Sequence, residues 1–439
     1  MIDSKQVHEV LGRHQLADGY PIVMDLDKSH GSWIHDGVTG SEYLDFFTCF
    51  ASWPVGYNHP AMMTPEFRSA IELAGRNNPA NSDLYTAQMA EFVEAFATKV
   101  TPEGFPYHFW VAGGALAVEN AMKVAFDWKA HKVGVDKVND GANLTIMHFK
   151  QAFHGRSGYT MSVTNTVVDK VALFPKFDWP RVHNPGIVFD LDGGIVNDIE
   201  AEEAKSIAEI EAGFARPGQH VAGVLIEPMQ GEGGDKHFRP EFMAKLRELC
   251  DEHEALLIFD EVQTGFFGSG KPWLWQYSGV KPDVVAFGKK SQVCGVYAGP
   301  RVDEVPENVF HTSSRINSTW GSNLVDMVRS TKFIEIITGD QLADNVAVRG
   351  QEFVAGLRSL AKDKGEISNV RGIGSLVAFT LETGAKRDAL LSSLWDQKLM
   401  VLASGPDSIR ARMPLNVSAE EVAQALQRVS DGLPAMASV

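Results

Sequence analysis

Two side chains of opposite charge stand at the ends of neighbouring apolar runs in the middle of the chain. Asp260 ends the run "LLIFD", and Lys289 follows the run "DVVAFG". Ligands of open α/β sheets bind outside the carboxyl ends of the strands, so the carboxylate and the amine are expected to lie close together there. An amine can form a Schiff base with an aldehyde cofactor, while a buried carboxylate favours a protonated ring nitrogen. A structural salt bridge is the alternative interpretation.

A phosphate-binding loop and a flat side chain would complete a site for such a cofactor. Gly113 and Gly114 precede the helical pattern over residues 115–131, where backbone N–H groups and the positive helix end can face an anion. A Gly–Gly pair before a helix is also an ordinary turn. The segment "QAFHGRS" follows the apolar run "NLTIMHF" and offers Phe153 for stacking on a ring, with Arg156 as a nearby cation.

The apolar runs that carry these residues are short and nearly continuous, which is typical of parallel strands buried on both faces. Strands are predicted at 143–149, 221–228, 255–261, 283–288 and 374–381, helices at 87–100, 115–131 and 240–254, and a hairpin over 31–47 with Gly37 and Gly40 in its turn. Strands that alternate with helices predict an α/β fold. We expect a large domain over residues 66–325 and a smaller C-terminal domain over 326–439, with residues 1–65 joining the small domain.

Composition excludes several classes of protein. The 439 residues carry a formal net charge of −16, and phosphate contacts need clustered lysine and arginine, so a nucleic-acid binder is not expected. Cys49, Cys250 and Cys294 are widely spaced and form no CxxC pair, which indicates neither a zinc site nor a disulfide framework and fits a reducing cytoplasm. No apolar run approaches ~18 residues, so no membrane span is predicted. The N-terminal segment "MIDSKQVHEVLGRHQ" carries charges throughout and has no apolar core, so no signal peptide is expected.

The order of these motifs resembles that of the class III aminotransferases, the pyridoxal-phosphate enzymes of the ornithine and 4-aminobutyrate type. The resemblance extends over nearly the whole chain, through "GYNHP", "LIEPMQGEGG", "LIFDEVQTG", the lysine after "AFG" and "NSTWGSN". It implies a fold-type I architecture, in which a large domain with a mostly parallel seven-stranded sheet accompanies a smaller α+β domain. It also implies a homodimer with active sites at the subunit interface.

The resemblance implies a role for each motif residue and no metal ion. Lys289 is expected to bind pyridoxal 5'-phosphate as a Schiff base and Asp260 to pair with its ring nitrogen, while Lys290 turns away from the ring. The other expected contacts are Gln263 at the phenolic oxygen, the backbone of Gly114 and Ala115 at the phosphate, Phe153 on the ring, Thr319 at the phosphate of the partner subunit's site, and Glu227 near Gln263.

Two arginines are the expected grips for substrate carboxylates, because a guanidinium donates two parallel hydrogen bonds. Arg156 is expected to hold the α-carboxylate of a donor whose distal amine reacts. Arg412, in "RARMPL", resembles the family arginine that takes the α-carboxylate of glutamate. An unpaired buried charge is costly, so Glu232 is expected to neutralise Arg412 and to swing away for 2-oxoglutarate.

Two segments, "AGGALAVENAMK" and "AFGKKSQVCGV", depart from the commoner family pattern and resemble the subgroup that acts on the distal amine of L-lysine. The expected reaction transfers the ε-amino group of L-lysine to 2-oxoglutarate. It gives L-glutamate and 2-aminoadipate 6-semialdehyde, which cyclises to the imine 1-piperideine-6-carboxylate.

Four alternatives remain open from the sequence. The same machinery can take ornithine or 4-aminobutyrate as donor, or act as a racemase or aminomutase that needs no 2-oxoglutarate. A catalytically inactive binding protein is disfavoured by the intact Asp260, Gln263 and Lys289. Nicotinamide binding is disfavoured because no GxGxxG follows a predicted strand.

Overall fold

The computed structural model describes residues 2–135 and 143–433. The strands are β1 (Trp33–His35), β2 (Glu42–Asp45), β3 (Tyr107–Val111), β4 (Leu144–Phe149), β5 (Arg181–Val182), β6 (His220–Ile226), β7 (Leu256–Asp260), β8 (Val284–Phe287), β9 (Cys294–Ala298), β10 (Ile367–Ile373), β11 (Leu376–Leu381), β12 (Leu399–Met400), β13 (Leu402–Ser404) and β14 (Ser408–Arg412). The helices are α1 (Val7–Gly12), α2 (Thr48–Ala51), α3 (Pro65–Arg76), α4 (Ala87–Lys99), α5 (Gly114–Val133), α6 (Gly158–Val163), α7 (Ile199–Phe214), α8 (Pro240–Glu252), α9 (Leu324–Gly339), α10 (Leu342–Lys364), α11 (Gly384–Asp396) and α12 (Ala419–Gly432).

Seven strands form the large sheet, in the order β3-β9-β8-β7-β6-β4-β5. Pairing is parallel from β8 through β7, β6 and β4 to β5, whereas β9 runs antiparallel to both β3 and β8. Every residue of β4, β7 and β8 is buried, since helix α5 packs against β6, β8 and β9 while α8 packs against β6 and β7. Successive residues of β7 enter different core clusters, Leu257 with α8 and Ile258 with α5, so both faces of the sheet are covered.

The predicted α/β architecture with a mostly parallel seven-stranded sheet is confirmed. The apolar runs at 143–149, 221–228, 255–261 and 283–288 form β4, β6, β7 and β8, and the predicted helices form α4, α5 and α8. Strands β3, β5 and β9 were not predicted from the sequence. Strand β5 has two residues, and β3 reads "YHFWV", where polar and apolar residues mix at the edge of the sheet.

Two smaller sheets stand beside the large one. Strands β10, β11, β14 and β13 form an antiparallel sheet, on which α10, α11 and α12 pack to make a separate core. The predicted hairpin is confirmed as β1 and β2, and β12 adds to it in parallel. The division at residues 65 and 325 stays a prediction. Within residues 2–135 and 143–433, no helix is both long and apolar enough to cross a bilayer.

Candidate active site

A cavity of about 290 Å³ lies where β7 and β8 end. Its walls are formed by Gly114, Ala115, Phe153, His154, Gly155, Arg156, Glu227, Glu232, Asp260, Val262, Gln263 and Lys289. Nine of the sequence-predicted site residues therefore meet in one place. Three larger cavities, of about 680, 760 and 330 Å³, contain none of them. The smaller cavity is therefore identified as the candidate active site by the side chains that line it and not by its volume.

Lys289 presents its amine to this cavity. It begins the short turn Lys289–Ser291 directly after β8, and its φ of 55° lies in the left-handed region, which is unfavourable for a side chain larger than glycine. Burial, reinforced by the positive charge of Arg410, lowers the pKa of the Lys289 amine to about 8. The lower pKa raises the share of neutral amine near neutral pH, and the neutral amine is the nucleophilic form.

Lys290 lies behind the cavity wall, as expected. Its side chain is buried, and Nζ donates to the backbone carbonyl of Gln263 at 2.6 Å. Burial lowers the pKa of this amine well below its usual range, with Glu261 opposing the effect. The two adjacent lysines therefore differ in direction: one faces the cavity, and the other supports the loop that carries Gln263.

Asp260 is the last residue of β7 and is buried. Its Oδ1 accepts from the N–H of Val262 at 3.0 Å, and Oδ2 lies 2.7 Å from His154 Nδ1, which donates to the carboxylate in the corresponding tautomer. The His154 Nε2 is buried without a partner among the described residues. His154 was given no role from the sequence, although its place beside Phe153 and after a buried strand was the available signal.

Glu227 joins two loops at the cavity wall. Its carboxylate oxygens accept from the backbone N–H of Phe153 and of Gly231, each at 3.0 Å. Burial raises the pKa of this carboxyl to about 7. The contacts hold the backbone of the residue expected to stack on the ring, and they do not involve the Gln263 side chain.

The N-terminus of α5 forms a close-fitting corner of the cavity. Gly113 precedes the helix with φ of 101°, so its conformation favours glycine. A Cβ added at Gly114 would stand 2.7 Å from Val262 Cγ1, and one added at Gly155 would stand 2.5 Å from Ala115 Cβ. The backbone of this corner can therefore approach a ligand closely, and the helix end favours an anion.

Arg410 and Arg412 reach the cavity-lining Gln263 from the small sheet, although neither arginine itself lines the cavity. They lie two residues apart on β14 and therefore share one face of it, and both side chains are buried. Gln263 Oε1 accepts from Arg410 Nη1 at 3.1 Å and from Arg412 Nε and Nη2 at 3.1 and 2.7 Å. Arg410, whose Nε is buried without a described partner, was not singled out from the sequence. The alternating spacing of "RAR" was the signal.

The structure differs from expectation at Glu232. Its Oε1 accepts from Thr166 Oγ1 at 2.9 Å and from Lys170 Nζ at 2.5 Å. Arg412 instead pairs with Asp235, a residue that the sequence analysis did not name. The expected neutralisation of Arg412 by Glu232 is thus corrected for this structure, because Asp235 already supplies the opposite charge.

Arg156 and Thr319 occupy exposed positions. Arg156 lines the cavity, and it forms no ion pair within residues 2–135 and 143–433. Thr319 lies on an exposed loop and does not line the cavity of its own chain. Its expected contact with a partner subunit's cofactor stays a prediction.

Similarity to known proteins agrees with this geometry. The family model described as Aminotransferase class-III matches residues 16–433. This chain belongs to the class III aminotransferase family. The L-lysine-epsilon aminotransferase of Mycobacterium bovis is 48% identical over 431 residues, covering 98% of this chain and 95% of that protein. The protein of the same name from Amycolatopsis lactamdurans is 45% identical over 436 residues, covering 98% and 96%.

A solved structure shows the same fold over the full length of both chains. It is a lysine aminotransferase from M. tuberculosis in the internal aldimine form, 47% identical, with a TM-score of 0.94 and coverage of 99% of this chain and 100% of that one. Membership in this family implies pyridoxal phosphate as the cofactor.

Proposed function

We propose that this enzyme is an L-lysine 6-aminotransferase, which moves the ε-amino group of L-lysine to 2-oxoglutarate with pyridoxal 5'-phosphate. The products are L-glutamate and 2-aminoadipate 6-semialdehyde, which cyclises to 1-piperideine-6-carboxylate. The observation that carries the proposal is one cavity that combines the Lys289 amine, the Asp260 carboxylate and the Arg156 guanidinium. The names of the relatives at 48% and 45% identity support L-lysine as the donor.

The residues present fit this cofactor. The glycine corner at the start of α5 suits the phosphate, Phe153 suits the ring face, and Asp260 suits the ring nitrogen. The Asp260 carboxylate already accepts from Val262 and His154, so its orientation is fixed before a ligand arrives. When bound, the cofactor supplies an electron sink for the carbon that loses its proton.

Lys289 performs the proton transfers in this proposal. With the cofactor bound, the free Lys289 Nζ would accept the proton from the reacting carbon of the donor, and the resulting ammonium would donate that proton to the cofactor. A pKa of about 8 suits both tasks near neutral pH, because both protonation states are then populated. Asp260 would keep a proton on the ring nitrogen of the bound cofactor, and Gln263 would donate through its amide N–H to the phenolic oxygen.

Two arginines fix the ends of the substrates. Arg156 holds the α-carboxylate of L-lysine, so that the ε-amine and not the α-amine meets the cofactor. In the second half-reaction Arg412 binds the α-carboxylate of 2-oxoglutarate, and Arg156 takes the distal carboxylate. Glu232 also lines the cavity, where Thr166 and Lys170 hold its carboxylate.

We further propose that the active enzyme is a homodimer in which Thr319 contributes to the site of the second copy. Asn81 Nδ2 donates to the carbonyl of Trp320 at 2.9 Å, so the loop containing Thr319 lies against the segment around Asn81. Leu84, Tyr85 and Trp320 are 65%, 79% and 48% exposed on these two loops. Clustered exposed apolar side chains support a protein interface there.

The test is a half-reaction without 2-oxoglutarate. Cofactor-loaded enzyme is mixed with excess L-lysine, ornithine or 4-aminobutyrate, and the visible absorbance of the bound cofactor and the cyclic imine are followed. Rapid loss of absorbance with L-lysine, and slow loss with the other two, supports the proposal. Loss with ornithine or 4-aminobutyrate only would change the donor and keep the family. A product of altered stereochemistry or amine position, formed without 2-oxoglutarate, would indicate a racemase or aminomutase.

A further inference from the structure

A buried ion pair joins the small sheet to the loop after β6. Arg412 Nη1 and Nη2 donate to the two carboxylate oxygens of Asp235 at 2.7 and 2.6 Å, and both side chains are 1% exposed. A pair this deeply buried stabilises the protein only where the geometry is good and the remaining polar atoms are satisfied. Two parallel bonds between a guanidinium and a carboxylate meet the first condition.

The Arg412 guanidinium has its five N–H donors fully assigned. Two donate to Asp235, and a second one on Nη1 donates to the carbonyl of Ala411 at 3.0 Å. The remaining two, on Nε and Nη2, donate to Gln263 Oε1. Gln263 lines the cavity, whereas Asp235 does not. The Nε and Nη2 edge is therefore the one that a ligand carboxylate can reach, by taking the place of the amide oxygen.

Asp235 is itself held from the opposite side. Its φ is 47°, and its backbone carbonyl accepts from Arg371 Nε at 3.0 Å. Arg371 Nη2 donates to the neighbouring carbonyl of Gly234 at 2.5 Å, and the Arg371 side chain is buried. Because the loop is anchored in this way, the Asp235 carboxylate is a fixed reference against which Arg412 is oriented.

The loop after β6 contains two other carboxylates, Glu227 and Glu232, and both have hydrogen-bond partners other than Arg412. Glu227 is committed to backbone N–H groups, and Glu232 is partly exposed and bonded to Lys170. Only Asp235 contacts the guanidinium of Arg412 among the described carboxylates. The charge of Arg412 is therefore compensated whatever position Glu232 takes.

We propose that Asp235 is a positioning residue that determines specificity for the acceptor. It turns the Nε and Nη2 edge of Arg412 toward the α-carboxylate of 2-oxoglutarate, and it compensates the arginine while a donor without a carboxylate at the reacting carbon is bound. The inference rests on the proposed function above. Without Asp235, the guanidinium loses its orientation, and Glu232 is drawn from Lys170 to the arginine, where it competes with the acceptor.

The test separates acceptor binding from donor chemistry in Asp235→Asn. Calorimetric titration of the cofactor-loaded enzyme with glutarate, an unreactive dicarboxylate, should show a dissociation constant raised at least tenfold. The first-order rate of the half-reaction with L-lysine should stay within threefold of wild type. Asp251→Asn is the matched control, because its ion pairs with Arg247 and Arg301 are partly exposed and lie outside the cavity.

Asp235→Glu is a second variant in case Asp235→Asn does not fold. It keeps the negative charge and lengthens the side chain by one methylene group. Here we expect the glutarate dissociation constant to rise at least threefold, again with an unchanged L-lysine half-reaction. Unchanged or tighter glutarate binding in the folded variants would overturn the inference, as would equal damage to both readouts. Failure of the proposed function is distinguishable, because the wild type would then not react with L-lysine at all.

Discussion

The side chains at the candidate site belong to two groups. One group lies at strand ends of the large sheet, and the other lies on the small sheet and pairs with loops; the first was easier to predict from the sequence. On one side, Asp260 ends the fully buried strand β7 and Lys289 follows the fully buried strand β8 of the large sheet. On the other, Arg410 and Arg412 lie within β14 of the small sheet and take their partners from loops. The position of a residue at the end of a strand is determined by the strand itself. A residue that pairs with a loop depends on the conformation of that loop.

The largest expected effect separates the two neighbouring lysines on the large-sheet side. Lys289→Ala should lower kcat/KM at least ~10⁴-fold, because it removes both the nucleophile and the proton carrier. Lys290→Met should keep the cofactor absorbance and a kcat within about threefold, with a Tm lower by a few degrees because a buried hydrogen bond is lost. Absorbance spectra, steady-state kinetics and thermal unfolding of both variants check this. The opposite pattern would move the catalytic role to Lys290.

Asp260→Ala should lower kcat about 10²–10³-fold, because the ring nitrogen would lose the preorganised carboxylate that stabilises its charge. The loss should appear in the half-reactions with both L-lysine and L-glutamate, since this side of the cavity serves both substrates. Single-turnover rates with each donor measure it. A loss confined to one donor would contradict the division between the two sides of the cavity.

Arg412→Gln should affect only one half-reaction. Loss of a charged, bidentate carboxylate grip costs ~3 kcal/mol, so the KM for 2-oxoglutarate should rise about 100-fold. The L-lysine half-reaction should change less than threefold. Arg239→Gln, which removes an ion pair with Glu203 away from the cavity, is the control. An equal loss for L-lysine would mean that Arg412 supports the whole pocket and not the acceptor alone.

The pH dependence of cofactor uptake reports the environment of Lys289. Its pKa is lowered to about 8, so the neutral amine increases with pH up to that value and is nearly complete above it. The rate at which apoenzyme takes up pyridoxal phosphate should therefore rise about tenfold per pH unit below pH 8 and level off above it. Stopped-flow absorbance between pH 6 and 10 checks this. A midpoint near 10.5 would show an amine free of these influences.

The smallest effect is expected at the ion pair of Lys170 with Glu232, which lines the cavity. Lys170 and Glu232 are 37% and 20% exposed in their side chains, and such pairs contribute about 0–1 kcal/mol. Lys170→Met should release Glu232 toward the arginines and raise the KM for 2-oxoglutarate about two- to fivefold. Lys150→Met, which breaks an exposed pair with Glu209, should not. An unchanged KM in Lys170→Met would mean that Lys170 does not determine the position of the Glu232 carboxylate.

Much of the fold and one side of the site followed from the sequence. Continuous apolar runs located β4, β6, β7 and β8, and the motif order placed Asp260 and Lys289 at their ends. The edge strand β3 and the two-residue strand β5 gave no comparable pattern. Strand β9, "CGVYA", is fully buried, but a glycine interrupts its short apolar run. A continuous apolar run indicates a strand that is buried on both faces. This signal is weak in a strand of two residues, such as β5, and in an edge strand, such as β3.

The acidic partner of Arg412 could not be predicted from the sequence, and the reason is physical. The segment after β6 contains three carboxylates, Glu227, Glu232 and Asp235, within nine residues. Which one reaches Arg412 depends on loop dihedrals such as the left-handed φ of Asp235, and on the anchoring of that loop by Arg371. Spacing along the chain does not determine either quantity.

Isotope transfer from L-lysine tests the central claim most directly. The enzyme is supplied with 2-oxoglutarate and L-lysine labelled with ¹⁵N at either the ε- or the α-nitrogen, and the glutamate formed is analysed by mass spectrometry. We expect labelled glutamate from ε-¹⁵N-lysine and unlabelled glutamate from α-¹⁵N-lysine. Label from the α-nitrogen, or no glutamate from L-lysine, would contradict it.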